Sequence, residues 1–110
     1  MIIIRISMTV LPEKQLELTQ TIISMIGFTE KEKGCLSHAV FCDIEDKNSF
    51  ILLQEWKTRE DLDRHIRSHR FGVLLGTKNL LGKPPKIQIH TVSRSEGMEA
   101  IHEVRSKIIA

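Results

Sequence analysis

Leu53-Gln-Glu-Trp-Lys-Thr-Arg-Glu-Asp-Leu-Asp-Arg-His-Ile-Arg-Ser-His-Arg-Phe71 passes from a strand pattern to a helix pattern within a few residues. Up to Trp56 the chain alternates, with Phe50, Leu52, Gln54 and Trp56 on one face and Ile51, Leu53 and Glu55 on the other. Apolar residues on both faces predict a central strand covered on both sides. Thr58-Arg-Glu-Asp61 then has the spacing of a capping box, with Thr58 as N-cap. The helix it opens turns Leu62, Ile66 and His65 inward. The same stretch holds the only tryptophan and two of the five histidines.

On the N-terminal side, Ile2 to Val10 alternates β-branched residues with polar ones and predicts a strand. Pro12 suits the first turn of a helix, where its missing N–H costs nothing. From Glu13 to about Lys31, Leu16, Ile22, Ile23, Met25 and Ile26 recur at helical spacing as the inward face. Gly27 suggests a close packing contact, and Gly34 a helix stop. Cys35 to Asp43 is a second strand, with His38, Val40 and Cys42 on one face. The polar cluster Glu45-Asp-Lys-Asn48 turns it into the strand Ser49 to Lys57, giving an antiparallel hairpin.

On the C-terminal side, a second helical run over Arg70 to Leu81 puts Phe71, Leu74 and Leu75 on one side, interrupted at Gly76 and ended by Gly82. Lys83-Pro-Pro85 is a stiff connector, and Lys86 to Ser93 alternates as a last strand. The order β-α-β-β-α-β predicts an α+β, ferredoxin-like fold: a four-stranded antiparallel sheet with helices on one face. Ile3, Ile51, Leu53 and Val92 make the other face too apolar for water, so a homodimer packed through that face is expected. Residues 1–93 form the domain. Residues 94–110 are a polar linker and an amphipathic helix, with Met98, Ile101, Arg105 and Ile108 at helical spacing.

With 110 residues, one domain can bury roughly two thirds of its unfolded surface without a disulfide or metal. A formal charge of +2, with basic and acidic residues interspersed, argues against nucleic acid as partner. Two cysteines are too few for a disulfide framework, which points to a reduced, cytoplasmic setting. No apolar run approaches the ~20 residues of a membrane span. Met1-Ile-Ile-Ile-Arg5 is a strand start and not a signal peptide.

Pro12-Glu13, Gly34-Cys35, Glu55-Trp56, Leu62-Asp-Arg-His65 and Ser68-His-Arg-Phe71, in this order and spacing, resemble the antibiotic biosynthesis monooxygenase family of dimeric α+β barrel proteins. The resemblance covers about residues 2–93. It implies a dimer with a pocket in each subunit between the sheet and the second helical region. It also implies oxidation of a small quinol-type or polycyclic aromatic compound by molecular oxygen, with no cofactor. A haem-degrading branch of the superfamily uses an asparagine on the first strand, a tryptophan on the second helix and a ligating histidine. Here Ile6-Ser7, His65 and Leu75 stand near those places, so all three depart from the pattern, which argues against that activity.

His65 is the candidate base, because an imidazole near neutral pKa can take a phenolic proton. A structural histidine bonded to the sheet is the other reading. Trp56, Phe71 and Leu75 are the candidate apolar lining, although a lone tryptophan at a strand end is more often a core anchor. His65 and His69 stand four apart, as metal ligands can, but no third ligand follows at readable spacing, so no metal site is expected. Arg64, Arg67 and Arg70 read as a solvated helix face. A non-catalytic ligand-binding or stress-response dimer is the competing function.

Overall fold

The alternation from Ile2 onward forms strand β1 (Ile2–Thr9) in the computed structural model, which describes residues 1–107. A 3-10 turn at Pro12–Lys14 leads into helix α1 (Gln15–Glu30). Strands β2 (Cys35–Asp43) and β3 (Asp46–Trp56) form the hairpin, followed by helices α2 (Arg59–Ile66) and α3 (His69–Gly76). A second 3-10 turn (Thr77–Leu80), strand β4 (Lys86–Thr91) and helix α4 (Met98–Ser106) complete the chain. The strands lie in the order β2-β3-β1-β4, all antiparallel, which makes β1 and β3 central. The fold is α+β and ferredoxin-like.

The core lies between the sheet and its helices. Ile2, Ile4, Ile6 and Met8 of β1 meet Phe50, Leu52 and Trp56 of β3, capped by Leu18 and Ile22 of α1, Leu62 of α2, and Phe71 and Leu74 of α3. Full burial of such a side chain stabilises by about 1.5–3 kcal/mol, so this layer dominates the fold's stability.

Helix α1 is rotated from the expected face. Leu18, Ile22 and Thr29 are its buried residues, while Leu16 and Ile23 are 70% and 63% exposed. The buried stripe follows Leu18, Ile22, Met25 and Thr29, and Leu16 stands about 200° around the helix from Leu18. Gly27 makes no close contact either: a Cβ there would meet nothing within 4 Å.

The hairpin turns at Ile44–Glu45, earlier than the polar cluster suggested. The side chains of Asp43 and Asp46 accept from the backbone N–H of Glu45 (2.8 Å) and Asn48 (3.0 Å), so the turn-forming residues act at the strand ends and β3 begins at Asp46. β4 ends at Thr91, short of the Ser93 expected.

The capping box forms. Thr58 Oγ1 accepts from the backbone N–H of Asp61 (3.1 Å) and donates to its carboxylate (2.9 Å). Gly34 sits at φ 84°, in the left-handed region, and a Cβ there would overlap the Asp61 side chain. It therefore admits the start of α2 as well as ending the α1 turn. Ser68 caps α3 by accepting from the N–H of Phe71 (3.2 Å), which separates α2 from α3.

Among the described residues, no helix covers the opposite face of the sheet. Ile3, Ile51 and Leu53 are half-buried there, and Phe41 beside Ile51 is 52% exposed. Glu55 lies on this face and accepts from the Ser37 hydroxyl on β2. Beyond the sheet, α4 exposes its apolar stripe at Met98, Ile101 and Val104. Ile108 and Ile109, expected on the same helix, lie outside the described residues.

Candidate functional site

Trp56 ends β3 on the helix-facing side, and α2 starts after a short capped turn. That geometry carries His65 back over the indole: the rings stack with centroids 4.8 Å apart and planes at 30°. Phe71, at the start of α3, meets the imidazole edge-on at 5.4 Å. Trp56 is fully buried, and its Nε1–H donates to Oε1 of Gln54, two residues earlier on the same face, at 3.0 Å. The indole is thereby satisfied within the core and forms a flat support for His65.

His65 is 3% exposed, and its Nδ1 lies 2.5 Å from Oε2 of Glu32. Glu32 stands in the turn between α1 and β2, held where its N–H donates to Thr29 O and its carbonyl accepts from Cys35 N, both at 3.1 Å. Nε2 of His65 is buried and has no hydrogen-bond partner among the described residues, and neither has either ring nitrogen of His38. Both imidazoles line one cavity of about 10 Å³, room for about one water. Ile22, Leu52, Phe71 and Leu74 give it apolar walls, and Thr29 and Gln54 also border it.

Burial is the main cause that lowers the His65 pKa below the ordinary 6.5, opposed by the Glu32 carboxylate. Burial, then the neighbouring His65, lowers that of His38, against Glu30 and Glu32. Both rings are therefore neutral at neutral pH, and a neutral imidazole with a free nitrogen is a base.

Of the residues singled out in the sequence, the structure brings His65 and Phe71 to the cavity. Trp56 lies behind His65 and does not line it, and Leu75 is 46% exposed and away from it. The buried stripe of α3 centres on Phe71 and Leu74, which leaves Leu75 at its edge. His69 is exposed and does not join His65. No cluster of three or more His, Cys, Asp or Glu side chains among the described residues is arranged to hold a metal. Arg64 pairs with Asp61 at 2.9 Å, and Arg70 lies 4.2 Å over the Phe28 ring, so the arginine run is partly engaged.

Glu32 and His38 complete the group and were not singled out as site residues from the sequence. His38 was within reach: it pairs in register with Gln54, on the face already read as inward. Glu32 gave no signal, being 33 residues from His65.

The sequence profile described as antibiotic biosynthesis monooxygenase matches residues 1–74. The chain belongs to that family. The match includes Glu32, His38, His65 and Phe71, and stops before β4 and α4. YcnE of Bacillus subtilis, provisionally named a monooxygenase, is 27% identical over 85 residues, covering 76% of this chain and 90% of its own. An uncharacterised Synechocystis protein is 27% identical over 96 residues, covering 86% of this chain; the chain spans 65% of that relative's length. A conserved Methanosarcina mazei protein of known structure is 33% identical with a TM-score of 0.77, covering 81% of this chain and 89% of its own. A Deinococcus radiodurans structure, assigned provisionally to the same monooxygenases, superposes with a TM-score of 0.81 at 19% identity, over 88% of this chain and 97% of its own. As an antibiotic biosynthesis monooxygenase family member, the chain places its cavity between the sheet and α1, α2 and α3. No helix among the described residues is long and apolar enough to cross a membrane.

Proposed function

We propose that this family member is a monooxygenase that oxidises a small quinol-type or polycyclic aromatic compound with molecular oxygen and needs no cofactor. The observation that carries the reading is the buried, unpartnered Nε2 of His65, on a ring that borders a mostly apolar cavity. Nε2 removes a phenolic proton, and the electron-rich anion then reduces oxygen. At a carbon bearing two hydrogens, one oxygen atom becomes the carbonyl and the other leaves with both hydrogens as water. Phe71 borders the ring of the substrate, and Trp56 keeps the imidazole plane fixed. Two copies of the chain pack through the open sheet face, in a cytoplasmic setting.

Apolar cavities that admit benzene are on the order of 150 Å³. The cavity of about 10 Å³ is far smaller, so substrate entry requires Phe71 and Leu74 to move outward with α3. The second reading is a non-catalytic dimer that binds a small ligand, and it needs the same opening.

Oxygen consumption with a panel of hydroquinones and hydroxylated polycyclic compounds separates the two. The oxidase reading expects uptake that drops by about 10²-fold or more in His65→Ala, the usual range for losing a general base. Equal rates in the variant remove His65 from the chemistry, and no uptake with any compound leaves the ligand-binding reading.

A further inference from the structure

The orientation of His65 is set from outside the segment that carries it. A carboxylate has no proton to give at neutral pH and only accepts, so the contact between Glu32 Oε2 and His65 Nδ1 requires the proton on Nδ1. In a neutral imidazole the lone pair then lies on Nε2, the buried nitrogen without a hydrogen-bond partner among the described residues, on a ring that borders the cavity. Without such a partner both tautomers are open to the ring, and a protonated Nε2 would be a donor, unable to take a proton. The stack on Trp56 fixes the ring plane but cannot choose between the nitrogens. Only Glu32 makes that choice.

We propose that Glu32 is a positioning residue that holds His65 in its Nδ1–H tautomer and so makes the unpartnered Nε2 a base. The inference rests on the functional reading of His65 and adds a residue to it. An orienting carboxylate has the same task behind the imidazole of the serine-protease triad. Glu32 is suited to it because its turn is pinned by two backbone hydrogen bonds and its side chain is only 23% exposed, which limits competition from water. The groups around His65 are few: the Glu32 carboxylate from the α1–β2 turn, His38 from β2, Trp56 from β3 and Phe71 from α3.

Long-range ¹⁵N–¹H correlation spectra of the intact chain at neutral pH read the tautomer directly. The expected result is a protonated Nδ1 and a bare Nε2 on His65. Glu32→Ala moves the proton to Nε2 in much of the population, and Glu32→Gln, whose amide N–H can donate to Nδ1, does the same with the side-chain shape kept. Where oxygen uptake is found, both variants lower it by about tenfold or more. A purely structural Glu32 would change the melting temperature and leave the tautomer as it was. A protonated Nε2 in the unaltered protein, or an unchanged tautomer in Glu32→Ala, overturns the proposal. The unaltered protein decides by itself should the alanine variant fail to fold. Uptake of oxygen with a protonated Nε2 would sink this inference alone, and the expected tautomer without any oxidation would sink the functional reading alone.

Discussion

His65 is held on three sides by different physics. Trp56 offers a stacking surface, Phe71 an edge, and Glu32 a charge-assisted acceptor, leaving one nitrogen free. The support under the ring is itself polar at one point, since Trp56 Nε1 satisfies a buried Gln54 oxygen. Trp56→Phe keeps an aromatic surface but removes that donor, and an unsatisfied buried acceptor costs about 1–3 kcal/mol. Urea denaturation should show a loss of that size. Burial of two neutral imidazoles also predicts acid sensitivity. Both folded pKa values lie below the ordinary 6.5, so the unfolded chain takes up protons first as pH falls. Stability is complete above about 6.5 and declines below it, down through the folded values. Urea midpoints at pH 7.5 and 5 should differ more in the unaltered protein than in His38→Phe; equal differences would mean that His38 takes no part.

At the scale of elements, the cavity depends on how α2 is launched. Gly34 is required both for its positive φ and for the space that Asp61 fills. Gly34→Ala brings about 1–2 kcal/mol of backbone strain, with steric overlap added. Gly27→Ala, in open space within α1, should instead stabilise, by about 0.5–1 kcal/mol. Thermal melts of the two variants should move in opposite directions. Thr58→Ala removes the α2 cap and about 1 kcal/mol, and it loosens the element that carries His65. The arginines that look like a plain wet face also tie elements together, as Arg70 of α3 does over Phe28 of α1.

For the whole molecule, the uncovered sheet face is the open question of assembly, and the proposed dimer gives it a use. Register places Leu53 between Ala39 and Arg5, and Ile51 between Phe41 and Ser7. A second cation at Leu53, beside Arg5, would be buried unpaired in a face-to-face pair. Sedimentation should therefore show a dimer for the unaltered chain and a monomer for Leu53→Lys, with the helical content kept. A monomer in both cases would refute packing through this face.

The sequence by itself determined the fold class, because alternation and capping are local and repeat along the chain. Phe50, Leu52, Gln54 and Trp56 share one face wherever the strand goes, and Thr58 starts a helix whatever it packs on. Helix faces were less legible: α1 carries apolar residues around much of its circumference, and only packing on the sheet chose Leu18 over Leu16. His65 was legible as a candidate because it follows a capped start at inward spacing. Glu32 was not, since it reaches His65 through the turn after α1, and His38 was legible as an inward residue but not as a neighbour of the same cavity, which the register of β2 on β3 decides. Tertiary structure alone decided that Trp56 supports the imidazole from behind and that Leu75 faces water. Spacing fixes which side of an element a residue occupies, but proximity between distant elements is settled only when they pack.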